Sequence, residues 1–174
     1  MRVTSAARTA IDVARWEDDD DTAIAKIDAI CNRSGVEVAE VGALAAGLRG
    51  VHGLRRVRAL LRWCDGRADS PPETRLRLIL ARSALPDPTP QVEVFNEYGL
   101  KIAVPDLVYE REKVAIFYDS ELHRRRSTWE RDAEITAELV ELGWQVVRVT
   151  APMLRSPRAV LRQVGAALER GRVF

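Results

Sequence analysis

The stretch IAVPDLVYEREKVAIFYDSELH, from Ile102 to His123, decides the fold that this sequence predicts. It places Asp106 in a Pro-Asp pair and, after an apolar run, Asp119, with His123 four residues further on. Two carboxylates on neighbouring strands can hold a divalent cation, and a nearby imidazole can move a proton. The stretch therefore fits a site for phosphodiester chemistry.

Length and composition limit the kind of protein that can carry this stretch. The 174 residues suit one domain of about 100 to 150 residues plus an extra element, or two small domains. An apolar fraction of 47% supports a core, and no apolar run reaches the roughly 18 residues of a membrane span. The N-terminal segment has the pattern of an amphipathic helix and not of a signal peptide. We therefore expect a soluble, cytoplasmic protein with no membrane partner, in which Cys31 and Cys64 are buried free thiols.

Charge is segregated along the chain, although its net value is only +1. The cations are 24 Arg and 3 Lys, and nine of the Arg lie between Arg49 and Arg82. Arginine forks suit phosphate, which favours a nucleic-acid partner. The alternative for this first cluster is a set of solvated faces on which Arg simply takes the place of Lys. A second cluster, Arg124 to Arg126, directly follows His123.

The front half of the sequence has helical periodicity. Its four helical segments begin at Thr4 or Ser5, at Thr22, near residue 36 and near residue 53. The Gly-, Ser- and Pro-containing stretch 65–72 then interrupts the pattern. We predict a helical region over residues 1–66, which is also the expected surface of a homodimer, and a second domain over residues 67–174.

The back half predicts helices and strands in the order α-β-β-β-α-β-α. Ser70 and Glu73 form an S-x-x-E capping box that opens a helix to about Ala84. The remaining segments are strands at 91–96, 100–108 and 113–119, a helix from Ser127 or Thr128 to Leu142, a strand at 144–149 and a helix opened by Ser156-Pro157. Short turns between the first three strands predict an antiparallel meander. The expected domain is thus α/β with a mixed central sheet.

This order, with Pro-Asp on the second strand, resembles the PD-(D/E)xK nuclease fold, and the residues resemble its very-short-patch-repair (Vsr) endonuclease branch. The phrases concerned are SPPETRLRLIL at 70–80, PDLVYEREKVAIFYDSELH at 105–123 and WERDAEITAELVELGWQVVRVTAPML at 129–154. The front half resembles the linker region of actinobacterial proteins that couple an AbiEi-type antitoxin module to such a domain. The resemblance implies a restriction-endonuclease-like core over about residues 70 to 170.

The same resemblance implies a metal centre. Asp106 takes the place of the family's metal-binding Asp, and the Tyr118 carbonyl is the usual extra ligand, with Mg²⁺ or Mn²⁺ as the cofactor. Asp119 stands where the core motif has Lys and the Vsr branch has His, so its implied role is a second metal ligand or a base. Glu73 matches the helix Glu that reaches the metal through water, while its capping box is a complete structural alternative. Phe117 departs from the Glu or Asp of the core motif, which predicts weaker metal affinity.

Residues after the third strand supply the implied proton transfer and DNA contacts. His123 matches the family's His and would act as general acid or position a water, the alternative being a surface His. The implied DNA-binding residues are Arg124, Arg125, Arg126, Trp129 and Arg131. For Trp129 a core position is the alternative, and for Arg131 a salt-bridged helix surface.

The function that the resemblance implies is Mg²⁺-dependent hydrolysis of DNA by an endonuclease. The alternative is a non-catalytic DNA-binding regulator of the antitoxin type that keeps a degraded nuclease fold, a reading that Phe117 and Asp119 favour. A third reading is a protein-interaction domain that dimerises through the helical half and binds no DNA. The sequence has no P-loop, dinucleotide-binding or serine-hydrolase motif, and His52 has no partner at zinc-ligand spacing.

Overall fold

A computed structural model describes residues 4–119 and 126–172, and of residues 126–130 it describes the backbone alone. The chain divides into two compact units, Met1–Leu78 and Ile79–Phe174. Among the described residues, the first unit is helical and the second contains all the strands. The mixed α/β class expected from the sequence is therefore confirmed.

Polar side chains cap the first two helices of the first unit. The helices of this unit are α1 (Ala6–Arg15), α2 (Asp20–Ser34), α3 (Val38–Gly47), α4 (Leu54–Leu60) with a 3₁₀ turn at Leu61–Trp63, and α5 (Pro71–Ala81), which continues into the second unit. Ser5 caps α1 by accepting the Arg8 amide at 3.2 Å. Asp19 caps α2 by accepting the Thr22 amide at 2.7 Å, so this helix starts two residues before the predicted Thr22.

A buried carboxylate cross-links the first unit. Asp28, on the apolar face of α2, is fully buried. Its oxygens accept the Asp65 amide at 2.7 Å, the Thr74 hydroxyl at 3.0 Å and an Arg77 Nη2–H at 2.8 Å. Arg77 Nη2 also donates to the Trp63 carbonyl at 2.7 Å. Asp28 thus ties α2 to the loop after α4 and to the first turns of α5.

This cross-link explains where the first unit ends. The sequence suggested a second domain from residue 67, whereas the contacts divide the chain after Leu78, inside α5. Thr74 and Arg77 belong with the first unit because both bind Asp28. The Pro- and Gly-rich stretch is therefore an internal loop of that unit.

Several arginines of the first basic cluster have structural partners. Arg58 donates to the carbonyls of Ala45 at 2.7 Å and Leu48 at 3.0 Å, and Arg56 donates to the carbonyls of Ala14 and Glu17. These carbonyls lie at the C-terminal ends of α3 and α1, where the last turn of a helix lacks intrahelical donors. Two of the nine arginines of this cluster, Arg56 and Arg58, therefore cap helices.

The sheet of the second unit is mixed, as expected. The strands are β1 (Thr89–Pro90), β2 (Val94–Phe95), β3 (Lys101–Ala103), β4 (Leu107–Tyr109), β5 (Val114–Asp119) and β6 (Gln145–Thr150). Four of them form one sheet in the order β1-β4-β5-β6. The β1-β4 and β4-β5 pairs are antiparallel, and the β5-β6 pair is parallel.

The predicted antiparallel meander is wrong in one respect, because the strand expected at 100–108 is two strands. Its first part, β3, pairs with β2 in a separate two-stranded sheet, and its second part, β4, joins the main sheet. Pro105 lies between them. Proline has no amide hydrogen and restricts the residue before it, so the strand breaks there.

Helices cover both faces of the main sheet. They are α6 (Arg126–Glu141), the short α7 (Ala151–Leu154), which the sequence did not predict, and α8 (Pro157–Gly171). Leu139 of α6 packs with Ala115 of β5 and with the β2-β3 hairpin. Side chains alternate along a strand, so Ile116 and Val147 point to the opposite face, where α8 contacts β5 and β6. None of the helices in the described ranges is long and apolar enough to cross a membrane.

We predict that Asp28→Ala lowers the free energy of unfolding by roughly 3 to 5 kcal/mol, because it leaves the Arg77 guanidinium buried without its partner. Denaturant unfolding followed by circular dichroism measures this change. Asp18→Ala, which removes an exposed carboxylate, is the control and should change the free energy little. Equal effects of the two substitutions would contradict the structural role of Asp28.

The pH dependence of stability provides a second test. Burial raises the pKa of Asp28 to about 6, against the opposing effects of Arg77 and the other donors. In the unfolded chain an aspartate has a pKa of about 3.9, so the folded state binds the proton more tightly. The contribution of Asp28 to the free energy of unfolding should therefore be largest below about pH 4 and fall as the pH rises through about 6.

Subtracting the unfolding free energy of Asp28→Asn from that of the wild type isolates this contribution at each pH. We expect the difference to fall between these two pKa values. A difference that rises with pH across this window would show that the charged form is the one the fold stabilises.

Candidate functional site

Three strands bring the candidate carboxylates to one end of the main sheet, here called the sheet edge, where β5 and β6 end and β4 begins. Since β5 and β6 are parallel and Asp119 pairs with Thr150, both strands end at the same edge. Since β4 is antiparallel to β5, it begins there, directly after Asp106. Asp106 and Asp119 therefore lie at the same end of neighbouring strands, as the sequence predicts.

Asp106 is held by its main chain and by its side chain. Its carbonyl accepts the Gln91 amide at 3.2 Å, and its Oδ2 accepts the Tyr118 amide at 2.5 Å. Continuing the β4-β5 register from Leu107 and Ile116 sets Pro105 opposite Tyr118. Proline has no N–H to donate to the Tyr118 carbonyl, and the Asp106 side chain takes the Tyr118 N–H.

The orientation of Tyr118 follows from the same contact. In an antiparallel ladder the N–H and C=O of one residue point toward the same neighbouring strand. The Tyr118 carbonyl therefore faces the β4 side, where the Asp106 carboxylate lies. These two oxygen donors, which the sequence analysis assigned to a metal, share one edge of the sheet.

Asp119 is paired with a cation. Its Oδ1 accepts a hydrogen bond from Arg148 Nη1 at 2.9 Å, and its side chain is 39% exposed. The same guanidinium lies 5.4 Å from the centre of the Phe117 ring. Because Phe117 and Arg148 are opposite each other in the parallel register, the aromatic ring and the cation lie on the sheet face that also carries Asp119.

Arg148 also connects the sheet to α6. Its Nη2 donates to the Asp132 carbonyl at 3.1 Å and to the Thr136 hydroxyl at 3.0 Å. Arg148 is not among the site residues predicted from the sequence. The available signal was a lone charge within the apolar run WQVVRV, where an unpaired cation would be costly to bury.

Glu73 lies in the first unit and has a capping role. Its Oε1 accepts the Ser70 hydroxyl at 2.6 Å, and its Oε2 accepts the Asp69 amide at 2.8 Å. Glu73 therefore has local partners at the start of α5, but the amide that it accepts is that of Asp69 and not that of Ser70, the partner in the predicted capping box. The water-mediated metal role of Glu73 stays a prediction.

The other candidate residues follow β5. Arg131 is exposed on α6. For Arg126 and Trp129 only the helical backbone is described, and His123, Arg124 and Arg125 lie outside the described residues. Within residues 4–119 and 126–172, no three His, Cys, Asp or Glu side chains gather into a group that could hold a metal.

A surface groove of about 420 Å³ lies away from these residues. Its lining comes from the β2-β3 hairpin, the β4-β5 turn and the end of α6: Val92, Glu93, Val94, Phe95, Glu110, Lys113, Leu142 and Trp144. Lys113 precedes β5, at the end of the strand opposite Asp119. The carboxylates thus lie on an open sheet edge and not in this groove.

We predict that Arg148→Met destabilises the second unit by about 1 kcal/mol, because Asp119 loses its counter-charge and α6 loses two hydrogen bonds to the sheet. Thermal unfolding measures the effect. Arg131→Met is the matched control, since it removes an exposed arginine of α6. An Arg148→Met variant as stable as the control would show that the contacts of Arg148 add nothing to stability.

Comparison with known proteins gives distant relatives. The chain is 31% identical over 172 residues to uncharacterized proteins of two Mycobacterium tuberculosis strains, CDC 1551 / Oshkosh and ATCC 25618 / H37Rv. The match covers 98% of this chain and 63% of each relative, so the chain spans less than two thirds of their length. No family model and no solved structure matches the chain.

Proposed function

We propose that the second unit is a metal-dependent DNA endonuclease of the Vsr-like, restriction-endonuclease type. The observation that carries the proposal is the hydrogen bond of the Asp106 carboxylate to the Tyr118 amide at 2.5 Å. It sets a carboxylate and a main-chain carbonyl side by side at the edge where β5 and β6 end. A Pro-Asp pair before one strand and a carboxylate at the end of the next are the arrangement that the resemblance implies.

The order of elements also supports the proposal. With the β2-β3 hairpin and the short α7 taken as insertions, the second unit and the helix leading into it read α5-β1-β4-β5-α6-β6-α8. This is the α-β-β-β-α-β-α order expected for a restriction-endonuclease-like core. The antiparallel β4-β5 pair followed by a helical connection to the parallel β6 agrees with a mixed sheet of that kind.

The donors at the sheet edge fit Mg²⁺ or Mn²⁺. Both ions prefer oxygen ligands, and Mg²⁺ is commonly bound by one or two carboxylates with water completing its shell. Asp106 and the Tyr118 carbonyl would hold the ion, and Asp119 would be a second carboxylate beside it. Bound there, the ion would polarise a phosphate and lower the pKa of a water molecule.

Side chains of the protein would supply the other catalytic and DNA-binding roles. Arg148 orients the Asp119 carboxylate, which would serve as a base or ligand, through its 2.9 Å hydrogen bond. His123 would give a proton to the leaving oxygen, and Arg124, Arg125 and Arg126 would contact the DNA backbone. His123, Arg124 and Arg125 lie outside the described residues, and only the backbone of Arg126 is described, so these roles rest on the resemblance.

A second candidate function is DNA binding without cleavage, as in a regulator of the antitoxin type. The specific observation in its favour is the pairing of Asp119 with Arg148 over the Phe117 ring. A carboxylate already neutralised by arginine attracts a divalent cation less strongly. This candidate predicts salt-sensitive DNA binding that is unaffected by metal or by Asp119→Asn.

We predict that Asp106→Asn lowers cleavage of nicked, mismatched or single-stranded DNA by at least about 100-fold in Mg²⁺ or Mn²⁺. The asparagine oxygen can still accept the Tyr118 amide, so the strand edge keeps its shape while the charge is lost. Gel assays with end-labelled DNA measure the rate. Asp87→Asn, at an exposed aspartate of the same unit, is the matched control and should cleave like the wild type.

Binding calorimetry separates the two functions. The endonuclease requires metal binding that Asp106→Ala removes. The proposal fails if wild-type protein leaves all three DNA substrates intact in both metals and shows no such metal binding. Salt-sensitive DNA binding under those conditions selects the second candidate.

A further inference from the structure

A group of exposed arginines follows the candidate site along the chain. Arg155, Arg158 and Arg162, here called the α8 arginines, lie at the end of α7 and in the first turns of α8. All three are exposed. They are not among the residues that the resemblance implies for DNA binding.

The α8 arginines follow the end of the sheet that carries the carboxylates. β6 ends at Thr150, which pairs with Asp119, and α7 begins at the next residue. The chain therefore turns from the sheet into α7 and α8 at the edge that carries Asp119 and Asp106. Arg155 is only five residues beyond Thr150.

The α8 arginines face away from the core. Val160, Val164, Ala167 and Leu168 are the buried residues of α8. At about 100° per residue, Arg158 and Arg162 lie on the opposite side of the helix. Over the described ranges, the α8 arginines make no hydrogen bond or ion pair, in contrast to Arg56 and Arg58.

The composition of this surface favours a phosphate backbone as the partner. Arg158 and Arg162 are one helical turn apart, about 6 Å along the helix axis. One strand of DNA carries a charge about every 3.4 Å along its axis, so the two side chains can contact two different phosphates. Pro157, Gln163 and Ala166 are the other exposed residues of this part of α8. A membrane-surface helix would need large apolar side chains beside its cations, and this surface has none among the described residues.

We propose that the α8 arginines bind the phosphate backbone of duplex DNA and hold it against the sheet edge that carries Asp106 and Asp119. The proposal rests on the proposed nuclease-type function for the choice of DNA, and it adds a binding surface on the α8 side of the sheet. Each arginine neutralises one phosphate, so binding by this surface is independent of base sequence and sensitive to salt.

The test is DNA binding by the full chain in EDTA, measured by fluorescence anisotropy with a labelled duplex over a series of salt concentrations. In the triple variant Arg155→Gln, Arg158→Gln, Arg162→Gln we expect affinity to fall at least about tenfold and the log–log salt slope to become shallower by about 2.7, which is 0.9 for each lost phosphate contact. The triple lysine variant should keep most of the slope, because lysine also neutralises phosphate.

The matched control removes the same charge from the opposite end of the second unit. Arg111, Arg170 and Arg172 lie there, since Arg172 approaches Glu112 at 3.9 Å and Arg170 donates to Gln145, the first residue of β6. Their triple Gln variant should keep the wild-type salt slope. Thermal unfolding of each variant, expected to match the wild type, verifies that the fold is intact.

Each outcome decides for or against the α8 surface. The proposal is overturned if the wild type does not bind duplex DNA, if both Gln triples lose equal affinity, or if the α8 triple loses binding only to vesicles containing phosphatidylglycerol. DNA binding that depends on the α8 arginines, without cleavage in Mg²⁺ or Mn²⁺, supports the surface and rejects the endonuclease. Cleavage with DNA binding unchanged in the α8 triple supports the endonuclease and rejects the surface.

Discussion

The hydrogen bond between the Tyr118 amide and the Asp106 carboxylate is the interaction on which the geometry of the candidate site depends. The β4-β5 ladder cannot continue past Pro105, because proline has no amide hydrogen. Proline keeps its carbonyl, but the neighbouring Asp106 side chain accepts the Tyr118 amide in its place. This contact holds the Asp106 carboxylate at the point where the ladder ends.

The second constraint on the site is electrostatic. A carboxylate at the end of β5 needs a partner, and the parallel register brings Arg148 of β6 beside it. The same arginine reaches two acceptors on α6, so a single cation sets the separation of sheet and helix at the open edge. The site therefore combines a carboxylate held by main-chain amide with one held by guanidinium, and the two should respond differently to metal.

Much of the fold could be predicted from the sequence because local signals and burial agree. Ser5, the Ser70-Glu73 box and Ser156-Pro157 mark helix starts that the structure contains. The start of α2 was misplaced because four aspartates in a row, residues 18–21, offer several equivalent caps. The burial of Asp28 was not predicted for a different reason. A carboxylate is tolerated at this buried position because it binds Arg77, 49 residues away, and hydrophobic periodicity contains no information about such pairs.

For the candidate site, the sequence predicted which residues lie at the ends of the strands, but it did not predict which side chains of neighbouring strands contact each other. The positions of Asp106 and Asp119 followed from motif spacing, but the pairing of Asp119 with Arg148 depends on the register of a parallel pair joined through α6. Likewise, Pro105 was read as part of a metal motif and not as the residue that separates β3 from β4. Long-range register is fixed by packing, which a single sequence does not specify.

The β2-β3 hairpin has a consequence for how this domain can vary. It forms its own two-stranded sheet between β1 and β4, and its exposed residues include Phe95, Tyr98 and Leu100. Since no strand of the main sheet takes its register from the hairpin, residues can be inserted or deleted at its Gly99 turn without shifting Asp106. The hairpin is thus the part of the second unit where length can diverge in evolution, or a tag can be introduced, while the sheet edge is preserved.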